Sequence, residues 1–182
     1  RVRAVLLGIL SVATYWILRD NFFVSDAIKL IQIARSKGFH LWNHVGSAYE
    51  NSHYSPVASL LFLLEDRFFG AGAWGYYLIA VVLHALTAWL VGRLADRLAS
   101  PIAGFWSSVT FYTLFCHYEM TAWITGANYG TPACFFVVAA TLRYIRFRSE
   151  DHRPSGWWAL GLYVAALGSN EESLAWLPII FG

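Results

Sequence analysis

Three carboxylates stand where general-base chemistry could be done. Asp26 lies in Phe23-Val24-Ser25-Asp26-Ala27, just past the first apolar run. Glu119 lies in the polar stretch His117-Tyr118-Glu119-Met120-Thr121-Ala122-Trp123, between two apolar runs. Glu171 follows Ser169-Asn170. A carboxylate can take a proton from a hydroxyl held within hydrogen-bond reach, and perturbed acids cluster where such work is done. Each has a structural alternative. An acid in the first helical turn, as Asp26 would be, is favoured by the helix dipole. Glu119 and Trp123 are four apart and share a face if that stretch is helical, giving an acid beside an aromatic surface. They also read as a solvated acid beside an interfacial tryptophan. Ser169 with Glu172 three residues on matches a capping box, which explains Glu172 and leaves Glu171 over.

Other polar residues are weaker candidates. His84 sits mid-run in Leu83-His84-Ala85. A titratable group there is either functional or a hydrogen-bonded neighbour of another helix. His40, His44 and His53 share a polar segment with Glu50, but no pair has tight metal-ligand spacing, so zinc is poorly supported. Cys116 and Cys134 end and begin neighbouring runs. They could pair in an oxidising compartment, or remain two buried thiols. No phosphate-binding glycine loop and no serine-histidine-acid pattern occurs.

The elements that would position these residues are apolar helices. Of 182 residues, 58% are hydrophobic and 13% charged, the mean hydropathy is +0.49 and the formal net charge is +2. Soluble domains carry about 25% charged residues. Disorder, a nucleic-acid partner and a disulfide scaffold all fit poorly. The expected fold is all-α and polytopic, an integral membrane domain over residues 1–182. Its spans are Ala4–Leu18, Ala73–Val91, Pro101–Cys116, Thr131–Ile145 and Trp157–Leu167, with Leu174–Phe181 as a truncated sixth. Ala73–Val91 is about 28 Å long as a helix, close to the hydrocarbon thickness of about 30 Å. Ser100-Pro101 and Thr131-Pro132 each read as a cap followed by proline at the first helical position. Residues 19–72 form a first outer loop. Within it, Ile28, Leu30, Ile31 and Ile33 recur at helical spacing as an interfacial amphipathic helix, and Val57–Leu64 is too short to span.

Charge sets the orientation. Arg1, Arg3, Arg93, Arg97, Arg143, Arg146, Arg148 and Arg153 fall on one side, taken as inside. Asp20, Asp26, Glu50, Glu65, Asp66, Glu119, Glu171 and Glu172 fall on the other, so carboxylate chemistry is expected on the outer face. The chain begins at Arg1 and its one methionine is Met120, so it reads as part of a longer protein. Arginine outnumbers lysine 11 to 2, a composition suggesting a GC-rich, bacterial coding sequence and so an inner (plasma) membrane with the acidic loops in the periplasm.

Taken in order, five stretches resemble a known family: Asp26 after the first run; Tyr54-Ser55-Pro56; Leu83-His84-Ala85; His117-Tyr118-Glu119 with Ala122-Trp123-Ile124-Thr125-Gly126; and Ser169-Asn170-Glu171. Their order and spacing resemble the N-terminal half of the GT-C class of membrane glycosyltransferases. The nearest likeness is to bacterial relatives of the protein O-mannosyltransferases, including the transmembrane-and-tetratricopeptide-repeat type. The resemblance implies an enzyme that moves a sugar from a polyprenyl-phosphate donor to an outer-face acceptor. It implies Asp26 as general base, with Glu119 and Glu171 as further catalytic acids. It implies Tyr54, His84, His117 and Trp123 as substrate-binding positions. It leaves a divalent metal open as cofactor, with Glu119 as the metal-associated acid, and names membrane lipid and the polyprenyl-phosphate sugar as partners. Four positions depart from the family pattern: Ser25 for an acid, Ser55 for an arginine, Asn170 for a lysine, and Ala127-Asn128-Tyr129 for a basic run. The last three remove cations suited to lipid phosphate. That motivates an alternative of another class, a non-catalytic subunit of the same ancestry held in a complex with other membrane proteins.

Overall fold

The computed structural model describes residues 1–24, 26–45, 54–114, 119–150 and 153–178. Among these the chain is helical and has no strand. In chain order the helices are α1 (Val2–Leu18), α2 (Ala27–Lys37), α3 (Leu41–Val45), α4 (Pro56–Phe69), α5 (Ala73–Leu98), α6 (Pro101–Thr113), α7 (Glu119–Ala122), α8 (Ile124–Glu150) and α9 (Arg153–Ser169), followed by a 3-10 turn at Glu171–Trp176. α5 is the hub, packing on α1, α6 and α8, while α9 lies along α8.

Local sequence explains most of these elements. Ser100 caps α6, its hydroxyl accepting from the Ala103 N–H at 3.2 Å, with Pro101 in the first turn. The amphipathic helix expected around Ile28–Ile33 is α2, which buries Ala27, Leu30, Ile31 and Ala34. α2 and α4 each stop at a glycine with positive φ, Gly38 at 60° and Gly70 at 56°, a conformation that side chains resist. α4 runs well past Leu64 to Phe69, yet at about 21 Å it remains too short to span a bilayer.

Two expected boundaries are corrected. Thr131 and Pro132 do not start a helix: α8 begins at Ile124 and carries Pro132 inside it. Proline cannot bond back to the carbonyl four residues earlier, that of Asn128, but the turn before it is already helical and held by packing. The stretch Gly92–Ser100 is mainly the last turns of α5 rather than a loop, and α8 likewise continues to Glu150. The expected sixth span, Leu174–Phe181, is described only in part: Leu174–Trp176 belong to the 3-10 turn, and Leu177 and Pro178 are α-helical. Residues 179–182 lie outside the described set. Among the described residues one helix, α5, is long and apolar enough to cross a membrane, and α1 is a shorter apolar helix.

The two ends of the bundle differ in charge. At the arginine end, Arg3 of α1 grips Asp96 of α5 in a two-point ion pair at 3.0 and 3.1 Å. Arg97 of α5 and Arg146 of α8 share Glu150, at 3.5 and 2.8 Å. At the acid end, the largest core cluster joins Leu30 and Ile31 of α2, Phe62 and Leu63 of α4, Tyr76 and Tyr77 of α5, and Ile124 of α8. Tyr77 ties this core to the connection after α1, donating to the Phe22 carbonyl at 3.0 Å. The flanks are greasy: Val5, Ile9, Val12 and Trp16 of α1, Ile102 and Trp106 of α6, and Trp157 and Val164 of α9 are all exposed. Exposed apolar side chains on this scale mark contact with something other than water.

α5 and α6 cross at Gly92 and Gly104. A Cβ on Gly92 would collide with Ser108 Oγ and come within 2.6 Å of the Gly104 carbonyl oxygen. A Cβ on Gly104 would collide with Asp96, the acid that holds Arg3. Gly92→Val is therefore expected to separate the two helices and destabilise the protein by ~1–3 kcal/mol or more. Gly161 of α9 has nothing within 4 Å of a built Cβ, so Gly161→Ala should be neutral or stabilising by ~0.5–1 kcal/mol. Thermal unfolding of both variants in detergent checks this, and equal stability of the Gly92→Val and wild-type proteins would contradict the crossing.

Candidate functional site

At the acid end, residues far apart in sequence meet through hydrogen bonds. Asp26 occupies the N-cap position of α2, but its side chain does not cap the helix. Instead the carboxylate turns to α8, where the Thr125 hydroxyl donates to Oδ1 at 2.8 Å across 99 positions of chain. Thr125 is buried and Asp26 half-buried. One carboxylate oxygen is thus fixed by a neutral donor.

Glu171 also gains a long-range partner. The backbone N–H of Tyr54, two residues before α4, donates to Oε2 at 3.2 Å. The Tyr54 ring itself is exposed. The expected capping box does not form. Asn170 is the cap, its Oδ1 accepting from the Glu172 N–H at 3.0 Å, while the Ser169 hydroxyl donates back to the Ala165 carbonyl at 2.8 Å. The asparagine oxygen is better placed for the 3-10 turn, and a serine inside a helix bonds its own preceding turn. Below that turn lies a cavity of about 140 Å³, lined by Cys134 and Val137 of α8 and by Asn170, Glu172 and Trp176. Tyr163 anchors the turn, its hydroxyl donating to the Ser173 carbonyl at 2.8 Å.

The remaining candidates separate. Glu119 opens the short helix α7, whose helical run stops at Ala122, so Trp123 sits at a bend and is half-buried. The Glu119 side chain lies outside the described set, as do His117, Cys116, His53, Glu50 and Ser25. His84 is buried between α5 and α6, donating from Nε2 to the Tyr112 carbonyl at 3.2 Å and stacked on Phe111 with ring centres 5.4 Å apart. It fits the hydrogen-bonded helix-neighbour reading. His44 is likewise structural. Its Nε2 donates to the Gly38 carbonyl and its Nδ1 accepts from the Ser59 hydroxyl, both at 2.7 Å, so neither nitrogen is left for a metal. No group of three metal-ligating side chains occurs among the described residues, and Cys134 is a free thiol.

Two residues at this end were not singled out from sequence. Glu65 of α4 is 2% exposed, on the same buried face as Ala58 and Phe62. Asn128 of α8, also buried, donates to its Oε2 at 2.5 Å, and among the described residues Oε1 has no hydrogen-bond partner. Burial pushes the Glu65 carboxyl up to about 8, with the Asn128 bond opposing it. The 58/62/65 spacing, which puts Glu65 on the face of Ala58 and Phe62, was the available signal. Thr125 lay inside a quoted motif, but only the fold makes it a partner of Asp26.

Over 124 residues, 63% of this chain, the sequence is 32% identical to the protein O-mannosyl-transferase Tmtc2 of Drosophila melanogaster. The matched stretch is 13% of that protein's length, so the chain corresponds to a small part of the relative. The likeness to that protein is partial. No family model and no solved structure matches.

The Glu65 site makes stability depend on pH. The folded protein holds this proton above the ordinary value of 4.5, so between pH 4.5 and about 8 the folded state binds more protons than the unfolded one. Stability therefore falls as pH rises through that window, by an amount on the order of a few kcal/mol. Glu65→Gln keeps an acceptor for Asn128 and removes the titration. Its thermal midpoint should lose less than that of the wild type between pH 5 and pH 8. Parallel pH profiles for the two proteins would exclude the buried carboxyl as the cause.

Proposed function

We propose that this chain is part of a polytopic membrane glycosyltransferase-like protein that transfers a sugar from a polyprenyl-phosphate donor to an outer-face acceptor. The observation that carries the reading is the pairing of motifs in space. The Asp26 stretch meets Ala122-Trp123-Ile124-Thr125-Gly126 through Thr125, and Tyr54-Ser55-Pro56 meets Ser169-Asn170-Glu171 through the Tyr54 N–H. Four of the five stretches that resemble the family thus meet in two contacts at one end of the bundle. The O-mannosyl-transferase relative supports the same class. The exposed apolar flanks and the length of α5 support a membrane setting. The separation of arginines from acids supports an acidic outer face, which in a bacterial cell would be the periplasmic side of the inner membrane.

In this reading Asp26 is the general base. The Thr125 hydroxyl holds one carboxylate oxygen, leaving the other to receive the acceptor proton. The acceptor oxygen attacks the anomeric carbon as its proton passes to Asp26. The bond from that carbon to the phosphate oxygen breaks, and the polyprenyl phosphate departs with the electron pair. Glu171, set by the Tyr54 N–H, and Glu119 orient the acceptor, with Glu119 the residue to hold a divalent metal if one is used. A neutral carboxyl cannot serve as base, so the mainly neutral Glu65 is left out of this role.

A second reading has its own support. Asp26 and Glu171 are both engaged as links between distant segments, which a non-catalytic scaffold subunit needs as much as an enzyme does. Asp26→Asn in the full-length protein separates the two. Asparagine still accepts from Thr125 but cannot take a proton. For an enzyme, transfer from a polyprenyl-phosphate sugar should fall by about 10²–10⁴-fold with the thermal midpoint unchanged. Unchanged transfer would overturn the assignment of Asp26. No transfer by either protein, with stable co-purification of other membrane subunits, would favour the scaffold.

A further inference from the structure

The arginine end contains a cavity of about 450 Å³ between α5, α8 and α9. Its rim carries four guanidinium groups: Arg93 and Arg97, one turn apart on α5, and Arg143 and Arg146, one turn apart on α8. The wall beneath is apolar, with Phe135 and Leu142 of α8 and Leu162 of α9. Trp89 and Trp158 flank it and are 38% and 65% exposed. Among the described residues, arginines outnumber the acids at this end. Glu150 answers Arg97 and Arg146 together. Asp96 is gripped by Arg3 at 3.0 Å and reaches Arg93 only at 3.9 Å. Arg143 is exposed.

We propose that this cavity is a binding site for an anionic phospholipid, with the headgroup phosphate on the arginine rim and an acyl chain along the apolar wall. Guanidinium groups match phosphate oxygens in pairs and are weakly hydrated, so they bind phosphate at an interface better than an ammonium does. Basic pockets between helices on the inner side of a membrane are suited to anionic headgroups. The apolar wall selects a lipid over a free anion, because inorganic phosphate would leave it empty. The two tryptophans mark the headgroup level, where amphipathic rings settle. The site lies at the opposite end of the bundle from Asp26 and rests on the membrane setting alone, not on catalysis.

The test is lipid retention by the full-length protein in nanodiscs containing phosphatidylcholine and phosphatidylglycerol, read by native mass spectrometry. The wild type is expected to retain phosphatidylglycerol preferentially. Arg93→Gln with Arg143→Gln should weaken that retention about 25-fold, about five-fold for each arginine. Arg143→Lys should keep most of it. Equal retention of the two lipids by the wild type, or retention unmoved by the double substitution, would overturn the site. Inorganic phosphate at 10 mM should leave the lipid bound. If it displaces the lipid, the cavity is a free-anion site and the proposal fails. Asp26→Asn should retain the lipid as the wild type does, whether or not transfer is lost, so this result stands apart from the glycosyltransferase reading.

Discussion

An apolar helix bundle can keep charge only where the charge is solvated or answered by a partner, and the layout of this protein follows from that constraint. Along the middle of the helices the side chains are aliphatic, aromatic or small. Titratable groups are pushed to the ends, eight of the eleven arginines to one and most acids to the other. His84 is the exception that tests the rule. It sits inside the bundle, and it does so bonded to a backbone carbonyl and stacked on Phe111. A buried polar group is tolerated when its hydrogen bond is made.

The two ends answer their charge differently. At the arginine end, ions meet ions: Arg3 with Asp96, and Arg97 and Arg146 with Glu150. These contacts join α1, α5 and α8, and the Arg3–Asp96 pair sits beside the glycine crossing that lets α6 approach α5. At the acid end, carboxylates mainly meet neutral donors: a threonine hydroxyl on Asp26, an asparagine amide on Glu65 and a backbone N–H on Glu171. Asp66 is an exception, gripped by Arg35 at 2.6 and 2.9 Å. A neutral donor fixes a carboxylate without cancelling its charge. That suits a group meant to take a proton or meet a polar ligand, and it equally suits a structural link.

α8 joins these features. Its first turns carry Thr125 and Asn128, its middle lines the small cavity beneath the 3-10 turn, and its last turns carry Arg143 and Arg146. Reading Pro132 as a helix start would have left Thr125 and Asn128 in a loop. Because the helix runs through the proline, both side chains are held by a rigid element packed on α5 and α9. The site residues at the acid end therefore inherit their positions from helix packing rather than from loop geometry.

The sequence by itself determined the helical class, the apolar spans near Val2–Leu18 and Ala73–Leu98, the cap at Ser100, the amphipathic α2 and the division of charge between the ends. All of these follow from composition, period and neighbouring residues, which are local properties. It could not decide how far helices continue past their apolar cores. α5 and α8 extend into arginine-rich turns because polar residues at a bundle end are as compatible with helix as with loop. Nor could it show that Asp26 would face Thr125, that Glu171 would hold the Tyr54 N–H, or that Glu65 would be buried on Asn128. Those pairings span from 63 to 117 positions of chain, and only the packing of α2 and α4 against α8 and α9 brings them within bonding distance. The arginines were legible as a topological signal. That four of them rim one cavity with an apolar wall was decided by the way α5, α8 and α9 come together.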